Sequence, residues 1–88
     1  MGKFPMGRLL MTSGARDSVG HSDIESFLQR HNRGDWGDLD EHDRAENELS
    51  LQEGLRLLST YTDSKGQKVW VITEADRSAT TVLLPEEY

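Results

Sequence analysis

Leu55-Arg56-Leu57-Leu58-Ser59-Thr60-Tyr61-Thr62-Asp63-Ser64-Lys65-Gly66-Gln67-Lys68-Val69-Trp70-Val71-Ile72-Thr73 decides the fold class. Leu55, Leu57, Ser59 and Tyr61 alternate with Arg56, Leu58, Thr60 and Thr62, the two-residue period of a strand. Asp63-Ser64-Lys65-Gly66 has the composition of a turn, and the β-branched and aromatic run Lys68–Thr73 supplies the second strand of a hairpin. A second polar turn, Glu74-Ala75-Asp76-Arg77-Ser78, leads to a third strand over Thr80–Leu84, stopped by Pro85.

Upstream the period becomes helical. Ile24, Phe27, Leu28 and His31 fall at i, i+3, i+4 and i+7, with Ser22 and Glu25 spaced as a capping box and Gly34 as the stop. Asp38 and Glu41 repeat the capping spacing. They open a second helix whose narrow apolar face is Leu39, His42, Ala45 (or Glu46) and Leu49, and which Gly54 ends. Residues 12–20 read as a loop from their glycine and serine content, and Leu9-Leu10-Met11 as an edge strand. The expected fold is α+β: two helices followed by a three- to four-stranded antiparallel sheet, in a two-layer sandwich. Residues 1–20 are expected to form a loosely ordered segment carrying that edge strand, and residues 21–88 a single α+β domain.

The 88 residues carry 16 acidic and 10 basic side chains, a net charge of −6. That balance opposes direct contact with nucleic acid or an anionic membrane and favours a basic protein partner. The chain has no cysteine, which excludes disulfides, thiolate metal sites and cysteine nucleophiles and suits a cytoplasmic location. No apolar run approaches the ~20 residues of a membrane span, and Met1–Met11 lacks the apolar centre of a signal peptide.

Eight of the acids lie between Gly34 and Glu53: Asp35, Asp38, Asp40, Glu41, Asp43, Glu46, Glu48 and Glu53, with Arg44 the one base. Carboxylates on a rigid helix can occupy phosphate positions in a basic groove, and charge complementarity speeds such an encounter. A solvated helix face is the ordinary alternative for a charge run. Trp36, between glycines, can anchor an interface, but the sequence favours its folding back to seal the core. Trp70 reads as core or sheet face.

Two further constellations are weaker. His21, His31 and His42 lack the spacing of a zinc site, so no metal or other cofactor is expected, and His31 reads as a half-buried residue capping its helix. Glu74, Asp76 and Arg77 share a turn, but no nucleophile, phosphate loop or paired histidine completes a catalytic site, and the chain reads as a non-enzyme.

The strings Gly34-Asp35-Trp36-Gly37-Asp38 and Gly54–Tyr61, with the run from Val69 through Thr73-Glu74-Ala75-Asp76-Arg77-Ser78 to Leu84-Pro85-Glu86-Glu87-Tyr88, resemble small uncharacterised bacterial proteins of plasmids, prophages and other mobile elements. The resemblance covers about residues 24–88. It implies a genomic setting beside replication, transfer and anti-defence genes, and it carries no site residues. The functional expectation is an acidic protein-binding module that inhibits a bacterial anti-phage defence complex, of the anti-CRISPR or anti-restriction type, by steric and electrostatic blockade. Asp35, Trp36, Asp38, Glu41, Asp43, Glu46 and Glu48 are the expected contact residues, on the basic surface of a host nucleic-acid-handling protein. The alternative is an accessory or antitoxin-like partner in plasmid maintenance or transfer, using the exposed hairpin edge or forming a homodimer.

Overall fold

A computed structural model describes residues 2–88. Alternation in the hairpin does what its period implies. In β2 (Leu57–Thr62) the side chains of Leu57, Ser59 and Tyr61 point inward, and in β3 (Lys68–Thr73) those of Val69, Val71 and Thr73 do. The two strands pair antiparallel, Leu57 opposite Thr73 and Thr62 opposite Lys68. The turn between them is held by the Asp63 carboxylate, which accepts from the amides of Lys65 and Gln67. β4 (Ala79–Leu83) continues antiparallel to β3.

The fourth strand, β1 (Arg8–Met11), is present, but it runs parallel to β4, with Arg8 opposite Ala79 and Met11 opposite Val82. The sheet is therefore mixed, in the order β1-β4-β3-β2, and not antiparallel throughout. Neighbouring parallel strands need a long crossover, and here every element from the first helix to β3 lies within it.

Among the described residues three α-helices are present in place of the two helices expected, with a short 3-10 turn at Pro85–Glu87. Residues 12–20 form a cap and a helix: Thr12 accepts from the Ala15 amide and α1 spans Ser13–Ser18. Its N-terminal end is tied to the far end of the chain, because the Glu87 carboxylate accepts from the Thr12 hydroxyl at 2.5 Å and the Gly14 amide at 3.0 Å. The Thr12 bond first, then one from the Leu84 amide and last that from Gly14, hold the Glu87 carboxyl below its ordinary range. Such a contact bridges 75 positions of sequence and has no local signature. Phe4, Ala15 and Val19 are buried, so residues 2–20 contribute to the core; Met1, part of the expected loose segment, lies outside the described residues.

α2 (His21–Asn32) buries the expected face, Ile24, Phe27 and His31. Its N-cap is Gly20, without a side-chain bond, and the Ser22–Glu25 pair lies inside the helix. α1 and α2 together cover one face of the sheet, packing Ala15, Val19, Ile24 and Phe27 on Tyr61, Val69, Val71 and Val82. The Phe27 and Tyr61 rings stack at 4.7 Å. α3 (Glu41–Glu53) is capped by Asp40, not Asp38: the Asp40 side chain accepts from the Asp43 amide at 2.9 Å. Gly54, at φ 70°, ends it in the left-handed conformation expected of a glycine stop.

α3 does not stack on the sheet face. It lies along the outer edge of β2, where the Asn47 side chain bonds both the N–H and the C=O of Leu58. Just beyond, the Trp36 carbonyl accepts from the Thr60 amide at 3.2 Å and the Asp38 amide donates to the Thr60 carbonyl at 2.7 Å. Side chain and turn thus act as a substitute strand that closes this edge. The turn can approach so closely because residue 37 is glycine. It has φ 77°, and a Cβ there would collide with the Thr60 carbonyl.

Candidate protein-binding face on the third helix

The turn leading into α3 is fixed by internal bonds. Arg30 donates from Nε to Asp35 Oδ2 at 2.7 Å, and Asp35 accepts from the Gly37 amide at 3.2 Å. The guanidinium bond is the chief reason the Asp35 carboxyl lies below its ordinary range. Asp38 accepts from the Thr62 hydroxyl at 2.8 Å and the Lys68 ammonium at 3.3 Å. It too is held low, first by the Thr62 bond.

Trp36 points inward and is 1% exposed. It packs with Phe4 and Leu57, and its Nε1 donates to Glu48 Oε2 at 2.7 Å. This is the core role the sequence favours, and it takes Trp36 out of the expected contact set. Arg44, the single base of the acidic stretch, turns back onto the carbonyls of Leu39 and Gly37.

Asp35, Trp36, Asp38 and Glu48 are therefore engaged within the chain, whereas Glu41, Asp43 and Glu46 stand exposed on α3. Glu53, outside the expected set, is also exposed. At 100° per residue, Ala45 and Leu49 form one outward ridge, with Glu41 on one flank and Glu46 and Glu53 on the other. The His42 ring lies 3.6 Å from Glu46 on this surface.

The expected apolar face of α3 is therefore the wrong one. Leu39, in the turn, does pack against the core, but His42, Ala45 and Leu49 face solvent, Leu49 at 51% exposure. Asn47 and Leu51 face inward. What holds α3 is mostly polar: Asn47 on Leu58, Glu48 on Trp36, and Arg77 on the Ser50 carbonyl at 3.2 Å. An amide facing a strand edge breaks the hydrophobic pattern, so period counting selects the opposite side.

Arg77, from the turn it shares with Glu74 and Asp76, has a structural role. With φ 61°, it turns its guanidinium onto the carbonyls of Leu55, Glu74, Ala75 and Ser50. These include the C-terminal end of α3, where a cation complements the helix dipole.

One arrangement looks like nucleophilic chemistry. His31 Nδ1 lies 2.5 Å from Ser59 Oγ, and Nε2 lies 2.8 Å from Thr73 Oγ1. His31, Ser59 and Thr73 are each 0% exposed, so no substrate reaches them. Donor bookkeeping fixes the direction of this chain. Thr80 donates to the Met6 carbonyl, so Thr73 must donate to Thr80 and His31 Nε2–H to Thr73; burial keeps the ring neutral, so Nδ1 accepts from Ser59. The ring is thus a neutral structural link between α2, β2, β3 and β4, and not a half-buried helix cap. Burial, aided by the Arg77 charge, lowers its pKa from 6.5 to about 4.

Among the described residues no group of three His, Asp or Glu side chains could hold a metal ion. No helix there is long and apolar enough to cross a membrane. A recess of about 330 Å³ is lined by Gly2, Gln29, Asn32 and Arg33, and one of about 260 Å³ by Arg56, Leu58, Trp70, Ile72 and Tyr88. Neither brings together an acid, a base and a nucleophile. Comparison with protein-family models, curated proteins and solved structures finds no match.

Proposed function

We propose that the chain is a protein-binding module that docks the outer face of α3 on a basic surface of a nucleic-acid-handling protein, denying that surface to phosphate. The observation that carries this reading is the orientation of α3. Leu49 and Ala45 face water between Glu41, Glu46 and Glu53, while polar clamps hold the inward side. Leaving Leu49 in water forgoes about 1.5–3 kcal/mol of burial. An exposed leucine flanked by solvent-facing carboxylates, of which Glu46 has only the His42 ring beside it, suits an apolar spot rimmed by lysine and arginine. Read with the mobile-element resemblance, the target class is a bacterial anti-phage defence complex and the mode is stoichiometric blockade.

The test is affinity capture from host lysate at low and high salt, with the wild-type chain beside a Glu41→Lys/Glu46→Lys/Glu53→Lys variant whose fold is checked by circular dichroism. Capture of a nucleic-acid-handling protein, lost at high salt and in the variant, is the expected result. Equal capture by the folded variant at low salt overturns the reading. A structural partner in plasmid maintenance or transfer is the second reading, favoured by the open strand edge of β1.

A further inference from the structure

The two edges of the sheet are treated differently. That of β2 is closed by Asn47 and by the 36–38 turn. That of β1 is bare: all four residues are exposed, with Leu9 at 54%, Leu10 at 39% and Met11 at 46%. The amides of Arg8 and Thr12 donate inward, to the Ser78 and Val82 carbonyls at 3.0 Å. Alternation along the strand turns the N–H and C=O of Leu9 and Met11 away from β4. Apolar edges that are not very short are normally covered, bulged or charged. β1 has four residues; its one charged side chain, Arg8, precedes the apolar run Leu9–Met11, which has no bulge and no covering element among the described residues.

We propose that β1 pairs antiparallel with β1 of a second copy, joining the two sheets across a two-fold axis at Leu10. In that register Leu9 of each copy opposes Met11 of the other, and each such pair exchanges both of its backbone hydrogen bonds. Leu10 meets its own symmetry mate on the sheet face away from α1 and α2, the face it shares with Thr81 and Ile72.

Three observations select a second copy as the occupant. The strand is self-complementary, because its outward-bonding residues, Leu9 and Met11, flank Leu10 symmetrically. The ends are complementary as well: Arg8 falls opposite Thr12 of the other copy, whose hydroxyl is bonded to the Glu87 carboxylate. Charge is segregated, since α3 lies beside β2 at the opposite end of the sheet order. Edge pairing through β1 therefore places the acidic helices at the two far ends, where two chains of net charge −6 repel least. The contact is small, so the dimer is expected to form at roughly micromolar concentration. It leaves the α3 face free.

The absence of cysteine permits a direct test on the full chain. Paired residues on the axis, in the non-hydrogen-bonded position, have Cα atoms ~4.5 Å apart, within disulfide range. Under mild oxidation Leu10→Cys should become a covalent dimer, and Leu9→Cys, whose symmetry mate is displaced along the strand, should not. Sedimentation of the wild type should show mass rising from 10.0 kDa toward twice that value. Met11→Pro removes an outward N–H that β4 does not use. It should abolish the mass increase without changing the circular dichroism spectrum, as should Leu10→Lys. A wild type that stays monomeric to about millimolar concentration overturns the proposal. So does a dimer that survives both substitutions or one that Leu49→Lys dissociates.

Discussion

His31 gives the sharpest prediction, because its burial sets both the sign and the size of a pH effect. In the unfolded chain the ring titrates near 6.5; in the fold burial lowers this to about 4. Between those values the unfolded state binds the extra proton, so stability rises with pH there and falls as pH drops. The contribution is complete above about 6.5 and is lost on acidification toward about 4. At 1.36 kcal/mol per pH unit, about 2 kcal/mol is lost by pH 5 and about 3 kcal/mol by pH 4. Against the roughly 4–13 kcal/mol expected for a domain of this size, that is a large share. At about 4–8 °C per kcal/mol, Tm should fall by about 10 °C between pH 7.5 and pH 5. The assay is urea unfolding at half-unit steps from pH 7.5 to 4.5, beside NMR titration of the His31 ring. His31→Gln should be less stable at pH 7.5 and should lose most of the slope between pH 6.5 and 5, whatever its absolute stability. Asp35, Asp38 and Glu87 are also held low, and they add acid sensitivity only below the ordinary carboxylate range. A wild-type stability that is flat from pH 7 to 5, with the ring titrating near 6.5 in the folded protein, refutes the argument.

Three other perturbations test the elements that place α3. Asn47→Ala leaves the Leu58 N–H and C=O unpaired and should cost about 2 kcal/mol, with hydrogen exchange faster at the Leu58 amide; a loss under about 0.5 kcal/mol refutes the edge-closing role. Gly37→Ala and Gly54→Ala meet similar positive φ, but only the first meets a backbone atom, the Thr60 carbonyl, while the second has open space. Thermal melts should therefore show about 1–2 kcal/mol lost at Gly54 and clearly more at Gly37; equal losses refute the close approach. Glu87→Gln weakens the tie to Thr12 and Gly14, so protease nicking near α1 should speed up, most visibly above the carboxyl's depressed pKa; an unchanged cleavage rate refutes the tie.

Much of the candidate face was legible as composition and little of it as geometry. The run from Asp35 to Glu53 marks an acidic element at once, but which acids are free depends on Arg30, Thr62 and Lys68, outside the run, which take Asp35 and Asp38, and on Trp36, twelve positions from the Glu48 it takes. Helical spacing also misassigned the inward side of α3, because the residue that grips the sheet is Asn47, a polar side chain bonding to a strand edge.

By itself, the sequence determined what depends on short-range pattern: the β2–β3–β4 meander from two-residue alternation, the buried stripe of α2 from its 3.6-residue period, and the glycine stop at Gly54 from backbone sterics. Only the tertiary structure decided the parallel pairing of β1 with β4, the helix at Ser13–Ser18 tied to Glu87, and the sealed hydroxyl chain around His31. Each joins residues far apart in the chain through backbone edges or single polar atoms. Such bonds have no sequence period, and their partners are set only once the sheet has brought them together.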